Sequence, residues 1–386
     1  MNNYFKTHDK KDCNGCGMCA LICPKGAITM EKDSEGFLYP VINKEKCIHC
    51  NLCEKKCPNN PSEPKAIQKT YIAYCKNDKI KENSASGGMF YPIAKYIIEK
   101  NGIVFGVCYD ENLTAHHEYV TKLEGLKKFQ GSKYVRSDLK NSYKEAEKFL
   151  NQNKYVLFTG TPCQCQGLRA FLKKEYDRLI TCEIICHANP SPKVFDLYKK
   201  NLEKHYRKKV KQIWFRSKLN GWKNSTPIIQ FEDETNIEDP TYYHAFISEL
   251  INRPSCSNCR FCGSKRYSDF SIGDLWGIDQ IDSSIKDDDT GISLLNVNTE
   301  KGFKIFNEIK DELFTKEVDT NLAFSYNHHQ NVPIHKNRDR FFKEISNGTI
   351  NETNIISKMN QYTKSSLAKR VVRKCKNIIK KIIKRN

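Results

Sequence analysis

From residue 68 onward, short apolar runs alternate with segments whose apolar residues recur at helical spacing. The first run, Thr70–Cys75, predicts a strand, and Ile103–Val107 predicts a second one. Between them, Phe90, Ile93 and Ile97 have the spacing of a helix. Further helices are predicted near 138–152, 164–174 and 301–314, and further strands near 155–158, 179–185, 210–216 and 227–232. Strand–helix alternation of this kind is typical of an α/β body.

The first sixty residues follow a different pattern, in which cysteines dominate. Eight of the 18 cysteines form two runs of the type C-x2-C-x2-C-x3-C-P, the spacing of bacterial ferredoxins with two 4Fe–4S clusters. These runs comprise Cys13, Cys16, Cys19 and Cys23, and then Cys47, Cys50, Cys53 and Cys57. Two apolar stretches between the runs, 27–30 and 37–42, predict a small hairpin. The pattern therefore predicts a ferredoxin-type module that resembles the bacterial two-cluster ferredoxins over residues 10–60.

The spacing of each run explains how it would hold a cubane. Three cysteines at i, i+3 and i+6 wrap a loop around one cluster, while the fourth opens a short helix and reaches the neighbouring cluster. We therefore expect one ligand set of Cys13, Cys16, Cys19 and Cys57, and a second of Cys47, Cys50, Cys53 and Cys23. Zinc is the alternative metal, but zinc gives no reason for the repeated third cysteine and the x3-C-P ending.

Composition and charge narrow the class of protein. No apolar run approaches the ~18 residues of a membrane span, and the N-terminus lacks the apolar stretch of a signal peptide. Cysteine-rich metal spacing in such a chain favours a reducing, cytoplasmic location. Lys and Arg exceed Asp and Glu by 64 to 45, a net charge of +19, and ten of the cations lie in residues 364–386.

The basic residues of this C-terminal tail accompany apolar residues on one helical face. An amphipathic helix of this composition can lie on an anionic membrane, so the tail allows peripheral membrane contact. The alternatives are a basic helix that docks on a partner protein and a tail without stable structure. No nucleic-acid-binding motif accompanies the charge, so we expect no nucleic-acid partner.

Three segments of the body differ from ordinary core. The loop 83–88, Asn-Ser-Ala-Ser-Gly-Gly, precedes a predicted helix and could offer backbone N–H groups to a phosphate, although a capped turn is the simpler interpretation. The segment 130–136, Gln-Gly-Ser-Lys-Tyr-Val-Arg, contains two cationic residues and a glycine that predicts a turn. The segment 155–164 is a strand that runs into a Gly-Thr-Pro-Cys loop, and strand-end loops are where α/β folds bind ligands.

The remaining cysteines also cluster. Cys163 and Cys165 lie in the strand-end loop, Cys182 and Cys186 lie on or just after the next strand, and Cys256, Cys259 and Cys262 form C-S-N-C-R-F-C. Four thiolates from three loops could hold a third cubane, with zinc and buried free thiols as alternatives. Cys75 and Cys108 are expected to be core thiols. The pairs His116-His117 and His328-His329 are expected at the surface.

Six ordered motifs carry a resemblance to a known family. They are Ser84-Ala-Ser-Gly-Gly-Met-Phe90, Gly131-Ser-Lys-Tyr-Val135, Phe158-Thr-Gly-Thr-Pro-Cys-Gln164, Cys186-His-Ala-Asn-Pro-Ser191, Cys256-Ser-Asn-Cys-Arg-Phe261 and Gly273-Asp-Leu-Trp-Gly277. Together, over roughly residues 68–345, they resemble the family of beta subunits of coenzyme F-420 hydrogenases and dehydrogenases, which includes the 7-hydroxymethyl chlorophyll a reductases. The resemblance implies FAD, extra 4Fe–4S clusters and flavin-based two-electron chemistry.

The resemblance also implies roles for individual residues. The body cluster would be held by Cys163, Cys186, Cys256 and Cys259, with Cys165 or Cys262 as an alternative ligand. The FAD site would include Ser84, Ser86, Gly87, Gly88, Lys133, Gly160 and Thr161. Asp274 and Trp276 either line this site or hold a turn, and we favour the structural role. No catalytic residue is assigned. The sequence Cys-His-Ala-Asn at 186–189 stands where the family has Cys-His-Gly, and this difference concerns the identity of the substrate more than the cluster.

We thus predict an α+β and α/β fold in four parts. Residues 1–62 form the two-cluster ferredoxin-type domain, 68–150 and 151–345 form the N- and C-terminal parts of the α/β flavin-binding body, and 346–386 form a basic amphipathic tail. The leading hypothesis is an iron–sulfur flavoprotein oxidoreductase whose partner is a ferredoxin-like protein or a deazaflavin of the F-420 type. The alternative is a non-catalytic electron-transfer subunit of a larger complex, with surface-polysaccharide biosynthesis as one setting. A homo-oligomer is also allowed.

Overall fold

A computed structural model describes residues 3–59, 68–327 and 330–364. Its helices are α1 (Tyr4–Thr7), α2 (Met18–Ile22), α3 (Leu52–Lys55), α4 (Asp78–Glu82), α5 (Phe90–Glu99), α6 (Ser142–Asn151), α7 (Pro162–Leu172), α8 (Pro192–Tyr206), α9 (Thr241–Ile247), α10 (Ile278–Ile281), α11 (Glu300–Ile309), α12 (Thr320–Ser325), α13 (Arg338–Ser346) and α14 (Ile355–Thr363). Short 3-10 helices span Lys10–Asp12, Leu123–Phe129, Pro254–Asn258 and Lys310–Glu312. Within the described ranges, every helix is too short or too polar to cross a bilayer.

The strands form three sheets. They are β1 (Ile28–Lys32), β2 (Leu38–Ile42), β3 (Lys69–Cys75), β4 (Ile103–Tyr109), β5 (Ala115–Val120), β6 (Val156–Gly160), β7 (Leu179–Ile184), β8 (Val210–Ser217), β9 (Thr226–Phe231), β10 (Asn236–Glu238), β11 (Phe270–Asp274), β12 (Ser293–Val297) and β13 (Leu313–Val318). The main sheet has the order β13-β3-β12-β11-β7-β6-β4-β5. The pair β1-β2 forms the predicted hairpin, and β10-β9-β8 forms a small antiparallel sheet.

The centre of the main sheet is parallel and its flanks are antiparallel. Strand β4 pairs in parallel with β6, β6 with β7, and β7 with β11, while β5, β12, β3 and β13 pair antiparallel. Alternate residues of the parallel strands face two apolar layers, as Leu157 and Phe158 do. Burial on both faces explains why these strands are apolar runs without alternation. Strands from before and after residue 150 are interleaved in this one sheet.

Each layer has its own core. One face of the sheet packs on α5 and α11 through Ile93, Ile97 and Ile305, and the other packs on α6 and α7. Helix α2 of the N-terminal module joins the second layer, where Met18 and Ile22 are buried. A third core unites α8, α9, α13 and α14 with the small sheet. The N-terminal module is therefore packed directly against the body.

Two sequence-based expectations about elements need correction. The helix expected near 301–314 ends at Ile309, because Leu313 enters β13 and pairs antiparallel with Cys75 of β3. Residues 346–364, placed in the tail, continue the packed body, since Met359 of α14 is fully buried. The rest of the basic tail and the pair His328-His329 lie outside the described residues.

Candidate functional site

The two N-terminal cysteine runs form loops that lead into short helices. Gly17, with a φ of +73°, precedes α2, and Asn51, with a φ of +58°, precedes α3. Gly15 also has a positive φ, and a Cβ there would lie 2.9 Å from the guanidinium of Arg253. A side chain at that position would be strained and would displace the arginine.

The thiols of the first run group with the last cysteine of the second run. Burial raises the pKa of Cys16, and the neighbouring Cys57 and Cys13 raise it further. The pKa of Cys19 is raised by burial and then by Cys16, Cys13 and Cys57. Thiolates repel one another electrostatically, so mutual shifts of this kind mark groups that lie close together. Cys13, Cys16, Cys19 and Cys57 are thus brought together.

Cys23 reaches across to the second run. Burial raises the pKa of Cys53, and Cys50 and Cys23 raise it further. Cys50 is exposed, whereas Cys16 and Cys19 are buried. The second group therefore lies nearer the surface than the first.

The body brings four more cysteines together from three loops. Cys163 lies in the first turn of α7, Cys186 follows β7, and Cys256 and Cys259 lie in and just after a 3-10 helix. Burial raises the pKa of Cys186, followed by Cys256, Cys163 and Cys259. By contrast, Cys165 faces Cys182 and Glu183 on the other side of α7.

The cysteine group of the body adjoins that of the N-terminal module. Cys163 is among the groups that raise the pKa of Cys16. Arg136 joins the two, because its Nη1 donates to Cys163 Sγ at 3.4 Å and its Nη2 donates to the carbonyl of Gly15 at 3.0 Å. Arg253, which is 2% exposed, donates from Nε to the carbonyl of Cys13 at 2.8 Å.

The positive charges of Arg136 and Arg253 need negative charge nearby. Among the residues that the structure describes, no carboxylate lies within 4.0 Å of either guanidinium. A buried cation without a counter-ion is costly. Thiolates of a bound cluster would supply the missing negative charge, since a 4Fe–4S cluster with four thiolates carries about −2. The surroundings of the cysteines thus fit anionic clusters.

The distances between the cysteine sulfur atoms bear on whether a group would hold zinc or a 4Fe–4S cluster. Four thiolates on one zinc ion, at Zn–S distances of about 2.3 Å, would lie about 3.8 Å apart. In the described part of the chain, the single group of three or more ligand atoms within 4.8 Å of one another is Cys108, His116 and Glu118, and it includes none of the clustered thiols. No three of the clustered thiols in the described residues therefore lie within 4.8 Å of one another, whereas ligands of one zinc ion would.

A cavity of about 280 Å³ lies beside Cys186 at the ends of the parallel strands. The residues expected to bind FAD that line it are Ser84, Ser86, Gly88, Lys133, Gly160 and Thr161. Gly87 lies behind the wall, where its N–H donates to Ser293 Oγ at 2.9 Å and a Cβ would lie 2.7 Å from the carbonyl of Ala73. Helix α7, eleven residues long, begins beside Thr161, so its positive end faces this region.

A larger cavity of about 560 Å³ shares the loop at 84–85 and residues 130–133 with the first. Burial lowers the pKa of Lys133 to about 8, and burial and Lys81 lower that of Lys218 to about 8. Lys218 donates to the carbonyls of Lys81, Ser86 and Thr290 at 2.6–2.9 Å. This lysine, which braces the 84–88 loop, has no sequence motif that marks it.

The structure also places residues that the sequence analysis misjudged, left open or missed. His116 and His117, expected at the surface, are 7% and 3% exposed, because β5 pairs with β4 inside the body fold. Asp274 lines the smaller cavity, where burial raises its pKa. Trp276 stacks on Trp222 with ring centroids 4.5 Å apart. Trp222 gives no recognisable signal in the sequence.

This fold and these cysteine groups define an iron–sulfur protein in which a ferredoxin-type module is packed on an α/β body. Residues 12–60 match the family model of the 4Fe-4S dicluster domain. Residues 153–321 match the family model of the C terminus of the coenzyme F420 hydrogenase/dehydrogenase beta subunit. The chain thus contains both family domains, and the resemblance found in the sequence is confirmed.

The most informative relatives are archaeal. The chain is 26% identical over 346 residues to a coenzyme F420-dependent sulfite reductase of Methanocaldococcus jannaschii, which covers 81% of the chain and 48% of the relative. It is 24% identical over 188 residues to the F subunit of the F(420)H(2) dehydrogenase of Methanosarcina mazei, covering 44% of the chain and 51% of the relative. The chain therefore spans about half the length of each of these relatives.

Two further matches concern the module and the overall shape. An uncharacterised ferredoxin of Methanocaldococcus jannaschii is 40% identical over 52 residues, which cover 14% of the chain and 66% of that ferredoxin. A chain of the F420-reducing [NiFe] hydrogenase complex from Methanosarcina barkeri aligns with a TM-score of 0.46 and 16% identity, covering 78% of this chain and 92% of that one. The matches to the sulfite reductase and to the dehydrogenase subunit relate the protein to oxidoreductases.

Proposed function

We propose that the protein is an iron–sulfur flavoprotein oxidoreductase that moves electrons between a ferredoxin-like protein or a deazaflavin and a substrate. Its cofactors would be three 4Fe–4S clusters and FAD. The observation that carries this proposal is the series of cysteine groups from the exposed Cys50, through the group of Cys16, to Cys186 at the cavity wall. Such a series connects the surface with the interior.

Each cysteine group fits one cubane. The first would be held by Cys13, Cys16, Cys19 and Cys57, the second by Cys47, Cys50, Cys53 and Cys23, and the third by Cys163, Cys186, Cys256 and Cys259. Cys165 points away from the third group, which argues against its use as a ligand. Arg136 and Arg253 would balance the negative charge of the clusters.

The cavities fit a flavin nucleotide. Gly88 and Gly160 both line the smaller cavity. A Cβ at Gly160 would lie 3.1 Å from Gln164 Oε1, so glycine allows the cavity wall to pack closely on the first turn of α7. Lys133 and Lys218 face the larger cavity and supply positive charge for a pyrophosphate. Flavin, when bound, interconverts one-electron and two-electron chemistry, and the clusters supply one-electron transfer.

The protein side of this chemistry is mainly positioning. Thr161 Oγ1 lies 3.2 Å from Cys163 Sγ, so the loop that faces the cavity also carries a ligand of the proposed third cluster. Gln164 fixes that loop, since its Oε1 accepts the N–H of Thr161 at 3.0 Å. A cofactor in the cavity and a cluster at Cys163 would therefore share one rigid turn.

Cofactor analysis of the anaerobically purified full chain tests the proposal. We expect about twelve iron atoms and twelve acid-labile sulfides per chain, as three cubanes require. We also expect one FAD per chain, released by denaturation and identified by chromatography. Fewer than about eight irons, or no flavin bound after reconstitution, would contradict the proposal.

A non-catalytic electron-transfer subunit is the second candidate. The observation that favours it is the match to a protein named as a dehydrogenase subunit, of which this chain spans 51%. Stopped-flow oxidation of the reduced protein by small acceptors, coenzyme F-420 among them, distinguishes the two. Rapid oxidation without another protein supports the enzyme, and oxidation that requires a partner protein supports the subunit.

A further inference from the structure

Three potential metal ligands meet on neighbouring strands at one edge of the main sheet, away from the clustered cysteines. Cys108 of β4 lies directly opposite His116 of β5, and Glu118 follows two residues later on the same face. Their ligand atoms all lie within 4.8 Å of one another. Cys108 Sγ is 3.4 Å from His116 Nε2 and 3.2 Å from Glu118 Oε2, and Nε2 is 3.7 Å from Oε2.

These separations match three corners of a tetrahedral zinc site. Zinc lies about 2.3 Å from a thiolate and about 2.0–2.2 Å from a histidine nitrogen or a carboxylate oxygen. At tetrahedral angles, the sulfur would lie about 3.6 Å from the nitrogen and the oxygen, and these two about 3.4 Å apart. The three observed distances differ from these values by at most about 0.4 Å.

The surroundings orient the ligands. His116 Nδ1 lies 3.2 Å from the carbonyl of Thr114, which suits a ring that donates through Nδ1 and leaves Nε2 free to bind a metal. Lys128 Nζ donates to Glu118 Oε1 at 2.5 Å and leaves Oε2 directed at the thiol. Outer contacts of both kinds accompany metal ligands in proteins.

We propose that Cys108, His116 and Glu118 bind one Zn²⁺ ion, with solvent as the fourth ligand. Cys108 lines the cavity of about 560 Å³, which gives solvent access to the open corner. A thiolate, an imidazole and a carboxylate form a donor set that suits zinc, and a site with three protein ligands keeps a position for water or another small ligand. These three ligands belong to none of the residue sets proposed above for the clusters or for FAD.

The competing explanation is a hydrogen-bonded core thiol, in which Cys108 donates to Glu118. That explanation accounts for one of the three close distances, but it gives no reason for His116 Nε2 to point at the same sulfur. Cys75 provides the matched control, because it is also a buried cysteine of the main sheet and belongs to no such group among the described residues.

The test is metal analysis together with zinc K-edge absorption spectroscopy of the full chain, purified anaerobically with zinc supplied and weakly bound metal removed by chelator. We expect about one zinc per chain beside the iron, with one sulfur and three nitrogen or oxygen ligands. Cys108→Ser should lower the zinc content at least tenfold and leave the iron content unchanged, while Cys75→Ser should change neither.

Glu118→Gln provides a second variant that alters a partly exposed side chain and should weaken zinc retention against chelator at least tenfold. Zinc with four sulfur ligands would mean that it occupies cluster cysteines, and it would overturn the proposal. So would a zinc content below about 0.1 per chain, or zinc retained equally by the Cys108→Ser and Glu118→Gln variants.

Discussion

At the scale of single residues, the two arginines between the module and the body are the most informative. Arg136 contacts a thiol on one side and a ferredoxin-loop carbonyl on the other, and Arg253 contacts the carbonyl of Cys13. Burial disfavours the charge of Arg136, but Cys163 holds its pKa above the ordinary value. The arginine and the cysteine groups therefore stabilise each other's charges.

Replacing Arg136 with Met should lower the reduction potential of the body cluster by tens of millivolts. The reason is that a nearby positive charge stabilises the reduced, more negative cluster. A redox titration followed by electron paramagnetic resonance measures the shift. Arg340→Met removes an exposed arginine that pairs with Glu344 and serves as the control. An unchanged potential in the Arg136 variant would show that no cluster lies beside it.

Lys218 predicts a pH dependence of flavin binding. Burial and Lys81 lower its pKa to about 8, so the cation is present below pH 8 and is lost as the pH rises above it. Loss of this one charge should lower FAD affinity by up to about tenfold per pH unit above 8, and Lys133, whose pKa is also about 8, should add to the fall. Fluorescence titration of the deflavinated protein between pH 7 and 9 measures this. The same fall in a Lys218→Gln variant would assign it to another group, and Lys223→Gln is the surface control.

At the scale of elements, α7 connects the two halves of the molecule. Its first turn carries Cys163, and its middle packs against the first cysteine loop of the module at Gly167. A Cβ at this glycine would lie 2.5 Å from Tyr143 Oη and 3.0 Å from the Cβ of Cys16. The small residue thus allows the module to approach the helix closely.

Substituting Ala for Gly167 should destabilise the protein by roughly 1–3 kcal/mol, because overpacking exceeds the gain of up to about 1 kcal/mol in helix propensity. Thermal unfolding of the iron-loaded protein, together with its iron content, measures the effect. Adding Tyr143→Phe removes the closest atom and should recover part of the loss. Equal or greater stability of the single variant would refute close packing at this helix.

At the scale of the whole molecule, the cysteine groups extend from surface to interior. The group nearest the surface includes the exposed Cys50, and the body group includes Cys186 at the cavity wall. Three clusters of charge about −2 would reduce the formal charge of +19 to about +13. A protein donor would meet the exposed group first.

A Cys47→Ser, Cys50→Ser double variant tests this order. Its iron content should fall from about twelve to about eight per chain. Reduction by a ferredoxin should slow at least tenfold, while reduction by dithionite should persist, because the small reagent does not need the exposed cluster. Stopped-flow spectroscopy measures both rates, and Cys182→Ser is the control for a buried cysteine outside the groups. Normal reduction by ferredoxin would reject the proposed entry point.

The ferredoxin-type module and the strand–helix alternation of the body could be predicted from the sequence, because both depend on residues that lie close together in the chain. The runs ending at Cys23 and Cys57 have a fixed local spacing, and β3, α5 and β4 follow from local periodicity. The motifs, taken in order, also led to the family that the comparisons confirm.

Contacts between residues far apart in the chain became apparent only from the fold. The long-range pairing of β13 with β3 ended the expected helix early, and the pairing of β5 with β4 buried His116 beside Cys108. Lys218 contacts the 84–88 loop, and Arg136 contacts the first cysteine loop of the module. In each case the two contacting residues are more than a hundred positions apart in the sequence. Such contacts follow from sheet order and packing, which local periodicity does not encode.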